Sequence, residues 1–126
     1  MIVPVSFSQG SLDHNEHVGF SYYSVEILEL VSGFSRQVRK ASEDSAAAMF
    51  IRNVSFQFIL EVRSPVKFTR QITVLPNGLS DTAIDVVVEY FLGGVRCTKI
   101  SMTCVISRLE KGANAGTIRA LFLEKF

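Results

Sequence analysis

Residues 13 to 17, Asp-His-Asn-Glu-His, place two carboxylates and two imidazoles within five positions, and the chain then runs into Val18-Gly19-Phe20-Ser21-Tyr22-Tyr23. These residue types serve three kinds of chemistry. A carboxylate can attack an acyl carbon or draw a proton from water. An imidazole paired with an acid can move protons as water is added or removed. Asp13, His14, Glu16 and His17 together could also hold a metal, although no Cys/His spacing of the zinc type accompanies them. Plainer readings stand beside these. Asp13 and Asn15 are ordinary turn or N-cap residues, His17 alone is a surface or satisfied histidine, and Tyr22 and Tyr23 alone are core or interface aromatics.

The next segment would position this cluster. Phe20, Tyr23, Ile27, Leu30, Val31, Phe34 and Val38 recur at steps of three and four, which predicts a helix from about 19 to 40. Its first-turn amides have no partner within the helix and would face the acidic loop. Val25 and Leu28 widen the apolar stripe, so the helix is expected to be covered on most sides. Gly33 lies inside it at a cost of about 1 kcal/mol relative to alanine, which a close approach to a sheet would explain. Arg36, Arg39 and Lys40 crowd the C-terminal turn, where cations favour the helix dipole. The following Ala-Ser-Glu-Asp-Ser-Ala-Ala-Ala reads as a loop or one more helical turn.

Strands flank the helix. Residues 2 to 8 read as a short strand that Pro4 assigns to an edge. After residue 48 the chain is β-rich: one long or bulged strand to Arg63, a break at Pro65, a strand over 67 to 75, and the turn Pro76-Asn77-Gly78. A strand over 81 to 92 ends at Gly93-Gly94. In the next strand Thr98, Ile100, Met102, Cys104 and Ile106 alternate with polar neighbours. Residues 111 to 116 read as a turn and 117 to 126 as a last strand. This order predicts an α+β fold in which a curved antiparallel sheet wraps one long helix, leaving sheet edges that invite a second copy.

Bulk properties narrow the classes. A chain of 126 residues with 48% hydrophobic and 20% charged content suits a single domain over 1–126 with a packed core. A net charge of +1 gives no basic face for nucleic acid. No apolar run approaches the roughly 20 residues of a membrane span, and the start has no secretion-signal pattern. Cys97 and Cys104 fall in one predicted strand with α-carbons about 23 Å apart, too far for a disulfide. Two unpaired cysteines suit a reducing cytoplasm.

Taken together, the motif and element order resemble the hot-dog fold thioesterases typified by 4-hydroxybenzoyl-CoA thioesterase. That family carries an Asp, a Gly-His-Val or Gly-His-Met that ends five residues later, and a Tyr ten residues after the Asp. Asp13, His17, Val18 and Tyr23 fall on those offsets. The subgroup pattern D-Y-N-G-H-M-N-x-x-Y-Y, which includes betainyl-CoA-type thioesterases, also matches Asn15 and Tyr22. Glu16 replaces the usual Gly, and Gly19 replaces the Asn that is common after His-Met. Glu16 therefore adds a second carboxylate, which would raise the pKa of Asp13 or change the acyl groups accepted.

The resemblance implies hydrolysis of an acyl thioester of CoA or of an acyl-carrier protein, without a cofactor, in a homodimer or homotetramer whose sites lie between subunits. Asp13 would be nucleophile or general base, His17 would orient the loop, and the Phe20 amide would face the carbonyl oxygen. Asn15, Glu16, Tyr22 and Tyr23 would contact substrate. Two alternatives share the fold. One is a hydratase or dehydratase that uses His17 with Glu16, and the other is a non-catalytic acyl-binding or dimerisation domain. Arg63, Lys67, Arg70 and Lys111 could meet CoA phosphates or be solvated surface.

Overall fold

The computed structural model describes residues 2–6, 20–60, 67–107 and 114–126. In chain order the elements are β1 (Ile2–Ser6), α1 (Phe20–Ser42), β2 (Ala48–Phe58), β3 (Lys67–Pro76), β4 (Ala83–Leu92), β5 (Val95–Ser107) and α2 (Ala115–Leu123). The strands form one five-stranded sheet in the order β1-β3-β4-β5-β2. Every pairing is antiparallel. The predicted α+β arrangement, an antiparallel sheet around one long helix, is what forms.

The helix forms where its period predicts. Tyr23, Ile27, Val31, Phe34 and Val38 are all buried. They meet every second residue of the central strands: Ile84, Val86, Val88 and Tyr90 of β4 and Thr98, Ile100, Met102, Cys104 and Ile106 of β5. The register aligns these residues across the two strands, for example Val86 with Met102 and Val88 with Ile100, so that one sheet face is continuously apolar.

Irregularities keep that face in phase. In β2 the register shifts between Ile51 and Asn53, and Arg52 is the extra residue. Met49 and Ile51 precede the bulge, and Val54 and Phe56 follow it, so an apparent break in alternation is corrected by one inserted position. A second shift between Tyr90 and Phe91 leaves Cys97 as the extra residue of β5. Its thiol donates to the carbonyl of Tyr90 at 3.3 Å. Both cysteines are free. Gly93 and Gly94 have φ of 58° and 83°, left-handed values that glycine adopts without strain and that a two-residue hairpin requires.

Three expectations are overturned. The segment from 117 onward forms helix α2 instead of a strand. Asn114 caps it by accepting from the Thr117 amide at 3.2 Å, and Ile118 and Phe122, one turn apart, are buried. Phe122 packs edge-on against Phe34 of α1 with ring centroids 5.3 Å apart. Helix α1 is not covered on most sides either, since Val25 and Leu28 are 56% and 60% exposed. Finally, among the described residues no sheet approaches Gly33. A methyl group there would meet only Nη2 of Arg36 at 3.6 Å, an ordinary contact.

Candidate functional site

Of the residues singled out in the sequence, Asp13, Asn15, Glu16 and His17 lie outside the described residues. Phe20 is the first residue of α1, and no acidic residue occupies the first turn. In sequence, the positive dipole end of the helix and the first-turn amides, which have no partner within the helix, follow directly after the acidic motif, with no first-turn carboxylate beside them.

Tyr22 and Tyr23 lie in that first turn and a half, beside a polar cluster set into the apolar core. The Tyr23 hydroxyl accepts a hydrogen bond from Thr98 Oγ1 of β5 at 2.9 Å. Its ring contacts those of Tyr90 at 4.9 Å, Tyr22 at 5.4 Å and Phe58 at 5.9 Å between centroids. One turn further along α1, Oε1 of Glu26 accepts from the Tyr90 hydroxyl at 2.7 Å and from Nη1 of Arg70 at 3.2 Å. This ion pair is sheltered, with side-chain exposures of 17% for Arg70 and 16% for Glu26. Among the described residues, Nε of Arg70 is buried without a hydrogen-bond partner.

Electrostatics define what these groups can do. Burial, reinforced by the Glu26 carboxylate, pushes the Tyr22 and Tyr90 phenols well above their ordinary value. Burial pushes Tyr23 up to about 12, against the opposing hydrogen bond from Thr98. All three stay neutral near pH 7. They can shape a pocket and donate or accept hydrogen bonds, but none serves as a base. Burial likewise raises the Cys97 thiol, and burial with nearby Asp85 raises that of Cys104 to about 12, so neither is an activated nucleophile. Among the described residues no group of three or more His, Cys, Asp or Glu could hold a metal ion.

One correction concerns charge. Arg70 is neither solvated surface nor a free cation for a CoA phosphate, because it is committed to Glu26 beneath the helix. Glu26, Tyr90 and Thr98 were not singled out as site residues in the sequence. Glu26 interrupts an otherwise apolar helical neighbourhood, and Tyr90 and Arg70 each sit in a strand. Their meeting spans 64 and 44 residues of chain, and no local pattern reports such a contact. Arg63 and Lys111 lie outside the described residues, as does the side chain of Lys67.

No protein-family model and no curated protein sequence matches the chain. Solved structures do match. The probable thioesterase YbaW of Escherichia coli superposes with a TM-score of 0.74 at 15% identity, covering 96% of this chain and 95% of its own. A gentisyl-coenzyme A thioesterase gives a TM-score of 0.73 at 13% identity, covering 97% and 99%. A Staphylococcus aureus protein solved in complex with CoA gives 0.72 at 14% identity, covering 98% and 83%. No helix among the described residues is long and apolar enough to cross a membrane. The strand order, the single long helix on one sheet face and these superpositions over nearly the whole chain identify the architecture as the hot-dog fold.

Proposed function

We propose that the protein hydrolyses an acyl thioester, carried on CoA or on an acyl-carrier protein, to the free acid and thiol. The observation that carries this reading is where α1 begins. Phe20 opens the helix seven residues after Asp13, and the first turn holds no acid. In this reading the Phe20 amide, which has no partner within the helix, would stabilise the developing oxyanion together with the helix dipole. Further support comes from the neighbours on this fold, two of which bear thioesterase names and one of which was solved with CoA.

In this mechanism Asp13 presents a carboxylate to the thioester carbonyl, either attacking the carbon or taking a proton from the attacking water. His17 orients the loop. Asn15 and Glu16 contact substrate from that loop, while Tyr22 and Tyr23 line the acyl side with neutral phenols. The 4-hydroxybenzoyl-CoA-type motif, closest to the betainyl-CoA subgroup, supplies these roles. No cofactor takes part.

The functional unit is at least a homodimer, joined along the β2 edge. β2 ends the sheet, and from Arg52 onward it is largely exposed, with Val54 and Phe58 among its exposed apolar residues. Ser35 of α1 bonds both backbone groups of Met49, at 2.9 Å each, which closes that edge at its start. An open edge of this length pairs readily with a copy of itself. The two buried free thiols fit a reducing cytoplasm.

The test is a panel of acyl-CoA esters read by a thiol reporter, run on wild type and Asp13→Asn. Wild type should release CoA, and the variant should lose on the order of a hundredfold or more in turnover. Full activity of Asp13→Asn would overturn the assignment. Water addition to an enoyl-CoA without thiol release would replace hydrolysis by hydration. Activity in Glu16→Gly alone would mean that Glu16 has disabled the site and that the chain only binds acyl groups.

A further inference from the structure

The polar bonds near the start of α1 come from a single row of the sheet. Arg70 of β3 lies opposite Tyr90 of β4, and Tyr90 lies opposite Thr98 of β5. All three reach α1. Arg70 and Tyr90 donate to Oε1 of Glu26 at 3.2 and 2.7 Å, and Thr98 donates to the Tyr23 hydroxyl at 2.9 Å. The next two rows along the strands are apolar throughout: Ile72, Val88 and Ile100, then Val74, Val86 and Met102.

A hydrophobic contact sets no direction, whereas a hydrogen bond weakens steeply outside a narrow range of distance and angle. The polar row therefore fixes how α1 is rotated and how far it is advanced over the sheet, which the apolar rows define less closely. Its geometry favours position over strength. An arginine and a carboxylate bind most strongly through two parallel bonds. Here Arg70 reaches Glu26 through Nη1, and the accepting oxygen is shared with Tyr90. Among the described residues, Nε of Arg70 is buried without a hydrogen-bond partner. Apolar residues in the same row would hold the helix at least as firmly.

We propose that Glu26 is a positioning residue for the hydrolytic site: held by Tyr90 and Arg70, it fixes the first turns of α1 and with them the aim of the Phe20 amide. This rests on the hydrolytic reading above. Glu26 follows Phe20 by six residues, about 9 Å along the helix axis, so it acts through the helix and not on the substrate. A donor to a developing oxyanion must stand about 2.7–3.1 Å from it. A misplacement of about 1 Å costs on the order of a hundredfold in rate, so a small roll of α1 is felt in turnover.

Steady-state kinetics on acyl-CoA esters, read by a thiol reporter, test this alongside denaturant melts. In Glu26→Ala/Arg70→Met no buried charge of the pair is left stranded, so stability should largely recover relative to Glu26→Ala. Its kcat should nevertheless stay about 10- to 100-fold below wild type, with KM within about threefold. Glu26→Gln keeps an acceptor oxygen for both donors and should bring kcat to within about fivefold of wild type. Phe122→Leu loosens the packing on Phe34, at the other end of α1, and should lower stability without lowering kcat. If the double variant does not fold, Glu26→Asp takes its place. It keeps the charge but draws it back by one methylene, and kcat should fall with KM unchanged.

Recovery of kcat along with stability in the double variant, or full kcat in Glu26→Asp, makes the network structural only and overturns the proposal. So does a Glu26→Gln no better than the double variant, or an equal loss of kcat in Phe122→Leu. A raised KM with kcat kept also overturns it, by making Arg70 a substrate contact. A wild type that releases no thiol from any ester removes the hydrolytic reading and the proposal together. Each of the other failures leaves hydrolysis standing.

Discussion

The two halves of α1 meet the rest of the fold by different physics. At the C-terminal half the contact with α2 is aromatic: Phe34 packs against Phe122 and Phe126 with ring centroids 5.3 and 5.6 Å apart, beside fully buried Val38. At the N-terminal half polar bonds join the ring contacts of Tyr23: Tyr23 bonds Thr98, and Glu26 gathers Tyr90 and Arg70. Apolar residues of similar volume would stabilise that end at least as well as a buried ion pair does. A polar network kept in a core sets orientation at the expense of some stability, and this one lies near the start of α1, where the hydrolytic site is proposed.

Mutations should expose that difference in kind. Phe122→Ala should be the most damaging to stability, at about 3–5 kcal/mol, because it leaves a cavity that neighbouring rings fill only in part. Denaturant melts would show it, and a loss below about 1 kcal/mol would mean that α2 is only loosely docked.

Glu26→Ala should cost somewhat less, about 2–3 kcal/mol, since it strands a sheltered guanidinium and a phenol but spares the packing. The double variant Glu26→Ala/Arg70→Met should recover much of that loss, because the cost comes from the stranded charge. If the double variant is as unstable as the single one, the ion pair is not what holds this end.

Tyr23→Phe should have the smallest effect, about 1 kcal/mol, by removing the acceptor of the Thr98 hydroxyl while keeping the ring. The same melts check it. A loss comparable to that of Phe122→Ala would show that the polar end carries as much stability as the aromatic one, and the contrast between the two halves would disappear.

Much of this contrast was invisible in the sequence. The aromatic half was legible as far as α1 is concerned, because Phe34 and Val38 fall on the helical stripe. Its partner was misread: residues 117 to 126 are short and apolar enough to satisfy both a strand and a helix period. The capping bond from Asn114 and the one-turn spacing of Ile118 and Phe122 settle the matter as helix. The polar half was half legible. Tyr22 and Tyr23 stood out through their spacing from Asp13, whereas Glu26 looked like one more charge on a helix and Arg70 like a surface cation.

Local pattern by itself determined the long helix, the alternation of β5, the strand end at Gly93-Gly94 and the order of β1 to β5 along the chain, because each depends on residues within a few positions of one another. The motif from Asp13 to Tyr23 likewise drew attention to the start of α1. Tertiary structure alone decided that α2 is a helix, that Glu26, Arg70 and Tyr90 meet, and that Val25 and Leu28 remain uncovered. Each of these depends on which surfaces, tens of residues apart in the chain, come to lie against each other, and burial and desolvation act on that arrangement without leaving a local periodic trace.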